Sequence, residues 1–311
     1  MLLGLGLNLN KGGFVSSPYY SVLASAFRSR VQSDGGQVGN MSCLKSDLKE
    51  LNPTKPSAFT GLLNDYSGAA AAYSLRLLDN TYTGDAIVVR RASDNTTQAI
   101  GFVNNELDTA SLESFCSGTD GFVTTWYDQS GNGNDATQAS ASAQPKIVSS
   151  GSTILDGGKP SLQLTESSLE TNLSLVTDVT HYLFSVLKTN DTAGIQYWSY
   201  DTNTKWVFIL QQGNNATSIS DRFSINSIYK NGTAQSLGTR NDWYNAFGDN
   251  NKHLSTLIGS ANQNDWNSLG FFGYTGFRLN GFSQEIIIWD SEQSANQSGI
   301  ETNINDFYSI Y

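Results

Sequence analysis

The chain is 311 residues long, carries a formal net charge of −10, and has only 15% charged residues. That balance excludes nucleic-acid binding, which takes clustered Lys and Arg to displace counterions from phosphates. No apolar run nears the roughly 20 residues that a membrane-spanning helix needs. Abundant Gly, Ser, Thr, Asn and aromatic residues suit an all-β protein with many polar turns. The length is enough for one large sandwich or two smaller units around a substantial core. Two cysteines, Cys43 and Cys116, are too few for a disulfide framework and leave the redox compartment open. The opening MLLGLGLNLN is too short and too interrupted by Gly and Asn for a signal peptide, and lacks a basic leader.

Along the chain, Leu3, Leu5, Leu7 and Leu9 alternate with Gly and Asn, the pattern of a first strand or of an arm added to a neighbour's sheet edge. Residues 43–51 read as a short helix stopped by Pro53 and Pro56. We place a boundary there, between an attachment or oligomerisation segment (1–59) and the main module (60–311). Residues 68–78 read as a helix, because the alanine run favours it and Tyr73 and Leu77 fall four apart. A strand follows at 86–91. A second helix, 109–115, has Asp108 as N-cap, Leu107 and Leu112 as a hydrophobic staple, and Gly118 just beyond.

A strand over 121–127 then meets the turn-rich run WYDQSGNGND, residues 126–135. Gly131 and Gly133 take positive φ without steric cost, while Asp128, Asn132, Asn134 and Asp135 tie down turn backbone. The expectation is a rigid, polar, solvent-facing loop. Further strands are expected at 182–188, 206–211, 223–230 and 282–289, with Asn231-Gly232 as a two-residue hairpin turn. Phe223, Ile225 and Tyr229 share one face of their strand, whereas Ile286 to Trp289 are apolar on both faces. Ser294 and Gln297 have capping-box spacing ahead of a closing helix marked by Ile300, Ile304 and Phe307. Many short strands with few helices mean a sandwich rather than a βαβ fold.

Candidate chemistry is sparse. Glycoside hydrolysis needs two convergent carboxyl groups, but Asp128 reads as a turn-former and Glu285 as a structural or rim residue, so no catalytic residue is named. The loop oxygens of Asp128, Ser130, Asn132, Asn134 and Asp135 are of the kind calcium takes, without EF-hand spacing. Calcium is the one cofactor left open, and no metal ligand is named. Aromatic rings set among Asn and Asp suit sugar binding: Trp198 and Tyr200, Trp243 and Tyr244, and Trp266. His181 and His253 are too few for zinc or nucleophilic machinery.

The segments YSLRLLDNTYTGDAIVVRRASDNTTQAIGF and LDTASLESFCSGTDGFVTTWYDQSGNGNDATQ, spanning Tyr73 to Gln138, resemble the catalytic domain of the α-L-arabinofuranosidase B family. The resemblance implies a concanavalin A-like jelly-roll β-sandwich. The closing LNGFSQEIIIWD and its helix are similar to the end of laminin-G-like sandwiches. The family pairs the cysteine matching Cys116 with another five residues later, where this chain has Gly121. Its adjacent sugar-site cysteines have no counterpart here, and its catalytic Glu and Asp fall on no matching motif. Similar modules occur in phage spike and tail-fibre proteins. The expectation is therefore a bacteriophage virion surface protein: a spike, fibre or decoration subunit. It would serve host attachment, with other virion proteins, copies of itself and host polysaccharide as partners. The alternatives are a retaining glycoside hydrolase acting on arabinofuranosides and a carbohydrate-binding module.

Overall fold

The computed structural model describes residues 59–311 except 166, 174, 177, 190–194, 201–204, 211–214, 218–222, 262–268, 272, 275–276 and 279. The strand expected at 3–9 and the helix at 43–51 lie outside the described residues.

The closing strand, Gly281–Trp289, organises the body because its apolar run has two faces to bury. On one side it pairs antiparallel with Ala71–Ser74 and Leu162–Leu164. On the other it pairs with His181–Thr189, which pairs in turn with Lys252–Ala261, followed by Phe223–Lys230 and Thr233–Gln235. Side chains alternate across a strand. Ile286 and Ile288 therefore enter a cluster with Tyr73, Leu183, Leu187 and Leu257, while Ile287 and Trp289 enter another with Ala72, Phe184, Val186 and Leu254.

A second group of strands, Ile87–Arg91, Thr97–Ile100, Gly121–Trp126 and Lys146–Ser149, closes the first cluster with Ile87, Val89, Val123, Trp126 and Ile147. The pairing Gln163↔Lys146 joins the two groups, and Glu170↔Thr137 adds the strands Leu169–Thr171, Leu269–Phe271, Ile195–Tyr200 and Lys205–Leu210, giving one large antiparallel sheet. The second cluster is covered by the helices Leu62–Asp65 and Gln297–Tyr308, through Leu62, Leu63, Ile300, Ile304 and Tyr308. The protein is mostly β with a few short helices, an arrangement consistent with an all-β sandwich.

The helix expected over 68–78 is a correction. Gly68 sits at φ 80, and Ala71–Ser74 is a strand registered against Ile288 to Glu285. Alanine's helix preference is worth only tenths of a kcal/mol per residue, and pairing that leaves Tyr73 fully buried outweighs it. The expected face of Phe223, Ile225 and Tyr229 is broken by a bulge between Ile225 and Ser227. One extra residue flips the alternation, so Phe223 and Ile228 share the first cluster while Tyr229 packs against the second. The closing helix forms, but without its capping box: its N-cap is Asn296, and the Ser294 amide donates to Glu292 Oε1.

Other elements form as read. Asp108 caps the helix Thr109–Phe115 by accepting from the Ser111 amide at 3.0 Å. Asn231 and Gly232, at φ 53 and 72, turn the hairpin that pairs Lys230 with Thr233.

The cysteine difference has a measurable consequence. Cys116 is fully buried and unbonded, and a β-carbon at Gly121 would lie 2.7 Å from its Sγ, with Val148 and Val89 each at 3.1 Å. Gly121→Cys is expected to close a disulfide with Cys116. Closing so short a loop contributes about 2 kcal/mol, or roughly 4–8 °C in Tm for a body of this size. Thiol titration and melting of the oxidised and reduced forms check this. Three free thiols in place of the one left at Cys43, or equal melting of both forms, would contradict it.

Candidate functional site

The loop after Gly121–Trp126 faces solvent at its tip, residues 131–133, as expected, while Asp128 and Gln129 at its base are buried against the protein. Asp128 is only 4% exposed. Its Oδ1 accepts from the Ala72 amide at 2.8 Å and the Ser130 amide at 2.9 Å. Its Oδ2 accepts from Ser130 Oγ at 2.8 Å and the Asn134 amide at 3.0 Å. Gln129 Oε1 accepts from the Leu78 amide, and its Nε2 donates to the Ser74 and Arg76 carbonyls. Asn132 and Asn134 donate to the Ala70 carbonyl, Tyr73 donates its hydroxyl hydrogen to the Asn134 carbonyl, and Asp135 accepts from the Asp128 amide. The loop thus serves the free edge of Ala71–Ser74 as a partner strand would. With N–H and O–H donors on both its oxygens, Asp128 is a structural acceptor that fixes the loop.

Glu285, 1% exposed, accepts from Arg76 Nε at 2.7 Å and Nη2 at 2.9 Å. Ser74 Oγ donates to it at 2.7 Å and the Tyr308 hydroxyl at 3.2 Å. The Arg76 guanidinium also donates to Asn303 and lies 4.8 Å from the Phe307 ring centroid. Burial, then the Glu285 charge, pushes the Tyr308 phenol well above its usual range. This network rivets the closing helix to the sheet, with three donors on Glu285 Oε2 and one on Oε1.

A solvent-facing groove of about 530 Å³ lies where the hairpin Phe102–Val103/Glu106–Leu107 runs into the helix Thr109–Phe115. Asn104 and Asn105, at φ 52 and 67, make the hairpin turn. Leu107 points into the core, so Glu106 and Asp108 on either side of it face the groove together. Glu106 Oε1 accepts from Lys159 Nζ at 2.7 Å, and that ammonium sits 4.1 Å from the Phe307 ring centroid. Asp108, bonded first by the Ser111 hydroxyl and then by its amide, is held below the usual carboxylate range. The sequence reading treated Asp108 only as a cap and did not single out Glu106. Their i, i+2 spacing across a buried leucine was the signal available.

Of the expected sugar-binding aromatics, only Trp243 and Tyr244 have described side chains. Trp243 is 2% exposed, inside the helix Arg240–Phe247, with its ring stacked on Phe247 at 6.3 Å, so it is no surface contact. Tyr244 is half-buried against the same core. The missed signal was Thr239 and Asp242, which form a capping box and turn an apparent loop into an amphipathic helix. Trp198 and Tyr200 fall on the strand Ile195–Tyr200; their side chains, and all of Trp266, lie outside the described residues. His181 and His253 are buried, each with one ring nitrogen bonded, to the Val176 carbonyl and to Asp249. Burial lowers both imidazoles below their ordinary range. Among the described residues no three His, Cys, Asp or Glu side chains converge for a metal.

Comparison with known proteins adds the family context. The profile of "Alpha-L-arabinofuranosidase B, catalytic" matches residues 65–159. α-L-Arabinofuranosidase B of Emericella nidulans is 43% identical over 72 residues, which is 22% of this chain and 14% of that protein. The α-L-arabinofuranosidase of Hypocrea jecorina is 42% identical over 71 residues, with the same shares. The match therefore spans only about a seventh of these relatives' length. A GH54 α-L-arabinofuranosidase soaked with a cyclic sulfate inhibitor superposes with a TM-score of 0.50 at 16% identity, covering 76% of this chain and 62% of that one. At that identity the likeness is one of fold.

These findings overturn the virion reading, together with its spike, fibre or decoration role, its virion partners and host attachment, and its location on a particle. The relatives matched are fungal arabinofuranosidases. A continuous match through the loop outweighs the departures at individual cysteines on which the virion reading leaned. What this chain shares with the arabinofuranosidase B catalytic family is the segment 65–159, which carries the strand Ala71–Ser74, the second group of strands and the loop that pins the two together.

Proposed function

We propose that the chain is a glycoside hydrolase module of the α-L-arabinofuranosidase type, built on a concanavalin A-like jelly roll. It releases arabinofuranose from polysaccharide with a pair of carboxyl groups. The observation that carries this reading is the match over 65–159, which takes in the buried loop contacts as well as the strands. Asp128 and Glu285 hold the fold, so the reacting carboxyl groups are to be sought among the solvent-facing acids and those beyond the described residues. Trp198, Tyr200 and Trp266 are the proposed sugar-stacking rings. The test is nitrophenol release from 4-nitrophenyl α-L-arabinofuranoside, with the anomeric configuration of the first product followed by NMR. Turnover abolished by one Asp or Glu substitution in a folded variant is the expected result. No release above blank between pH 4 and 7 would overturn it.

A second reading, a carbohydrate-binding module without turnover, is favoured by the structural use of the buried Asp128 and Glu285 carboxylates. Glycan-array binding by a chain that releases no nitrophenol, lost in Trp198→Ala with the fold retained, would select it.

A further inference from the structure

We infer that the groove between the 102–107 hairpin and the 155–160 hairpin is a binding site for a neutral oligosaccharide. This rests on the carbohydrate-directed reading above and names a site for it. Five observations carry it.

The groove holds about 530 Å³, room for one or two sugar rings. Its lining includes Val103 and Leu155, which are 52% and 54% exposed and stand among the few large apolar side chains left in solvent among the described residues. Such groups match the C–H faces of a sugar ring. Between them lie hydroxyl partners. Asn104 and Thr109 have side chains without a protein hydrogen bond, and Glu106 gives only Oε1 to Lys159.

The charge pattern narrows the ligand. The groove holds two carboxylates, and the lysine at its edge, Lys159, is taken by Glu106 and the Phe307 ring. An anionic ligand has nothing to meet there. A divalent cation is disfavoured as well, since no three acidic, His or Cys side chains converge among the described residues. A hydroxyl-rich, uncharged ligand donates to Glu106 and Asp108 while covering Val103 and Leu155.

The site is also shaped in advance. Asn104 and Asn105 hold a tight turn, and Asp108 is locked by Ser111 at 3.0 and 2.6 Å. Little ordering entropy is lost on binding.

The experiment is titration calorimetry of the full chain with arabinotriose, with xylotriose and spermidine alongside. Val103→Asp, Leu155→Asp and Glu106→Ala alter exposed or half-exposed side chains, and unchanged melting of each variant confirms its fold. Expected is binding of at least one of the two trioses, weakened at least tenfold by each of the three substitutions. Unchanged affinity in all three, no triose binding by the wild type, or binding of spermidine alone would overturn the site. Nitrophenol release by the wild type is scored separately. Release with unaltered triose binding in the variants removes the groove and keeps the hydrolase. Lost binding without release keeps the groove and removes the hydrolase.

Discussion

Glu285→Ala is expected to destabilise the protein by about 3–5 kcal/mol, the usual cost of stranding one member of a buried ion pair. Arg76 is 7% exposed, and its remaining partners would be the Asn303 amide and two aromatic rings. Ser74 Oγ would lose its carboxylate acceptor in the same step, and the Tyr308 hydroxyl would be left with the Gln284 carbonyl at 3.3 Å. The double variant Arg76→Met with Glu285→Met is expected to cost less than the single one, because no charge is then left in an apolar setting. Urea unfolding of the set, read as a double-mutant cycle, measures both. A single-variant loss below about 1 kcal/mol would mean that solvent reaches the guanidinium and that the pair does not hold the closing helix.

Asp128→Ala is expected to cost about 3–4 kcal/mol. Three backbone amides, those of Ala72, Ser130 and Asn134, lose a charged acceptor together, and hydrogen bonds to charged groups are worth roughly 1.5–3 kcal/mol each without adding fully. Asp128→Asn keeps one acceptor oxygen and should cost about half as much. Amide exchange distinguishes this pin from a general loosening: Ala72, Ser130 and Asn134 should exchange faster in Asp128→Ala while Leu183 and Leu257 in the central strands stay protected. Equal acceleration everywhere would refute the local role. Were Asp128 a nucleophile instead, its alanine variant would lose turnover at full stability.

The elements legible in the sequence were those whose local pattern and tertiary setting agree. Four apolar residues in a row at Ile286–Trp289 had no reading but a strand buried on both sides, and Asn231-Gly232 had none but a tight hairpin. Where the two levels disagree, the sequence misleads. The Ala69–Ala72 run carries a helical preference, but its small side chains let the strand lie between the closing strand and the loop. The bulge at Ile225/Ser227 leaves no mark in composition, and it moved Tyr229 to the other face. Trp243 looked like a loop aromatic because its neighbours are Asn, Asp and Tyr; one helical turn buries it.

The candidate site shows the same division. The sequence by itself determined the fold class, the recognisable loop and the likeness to arabinofuranosidase B, because these depend on residue type and order. The sequence already pointed to structural roles for Asp128 and Glu285, and only the tertiary structure decided which groups they hold together. A carboxylate is a reagent or a rivet according to which donors reach its lone pairs, and the donors here come from as far away as Ala72 and Arg76. It likewise took folding to bring Val103 beside Leu155. Such contacts join residues distant along the chain, so no local pattern records them.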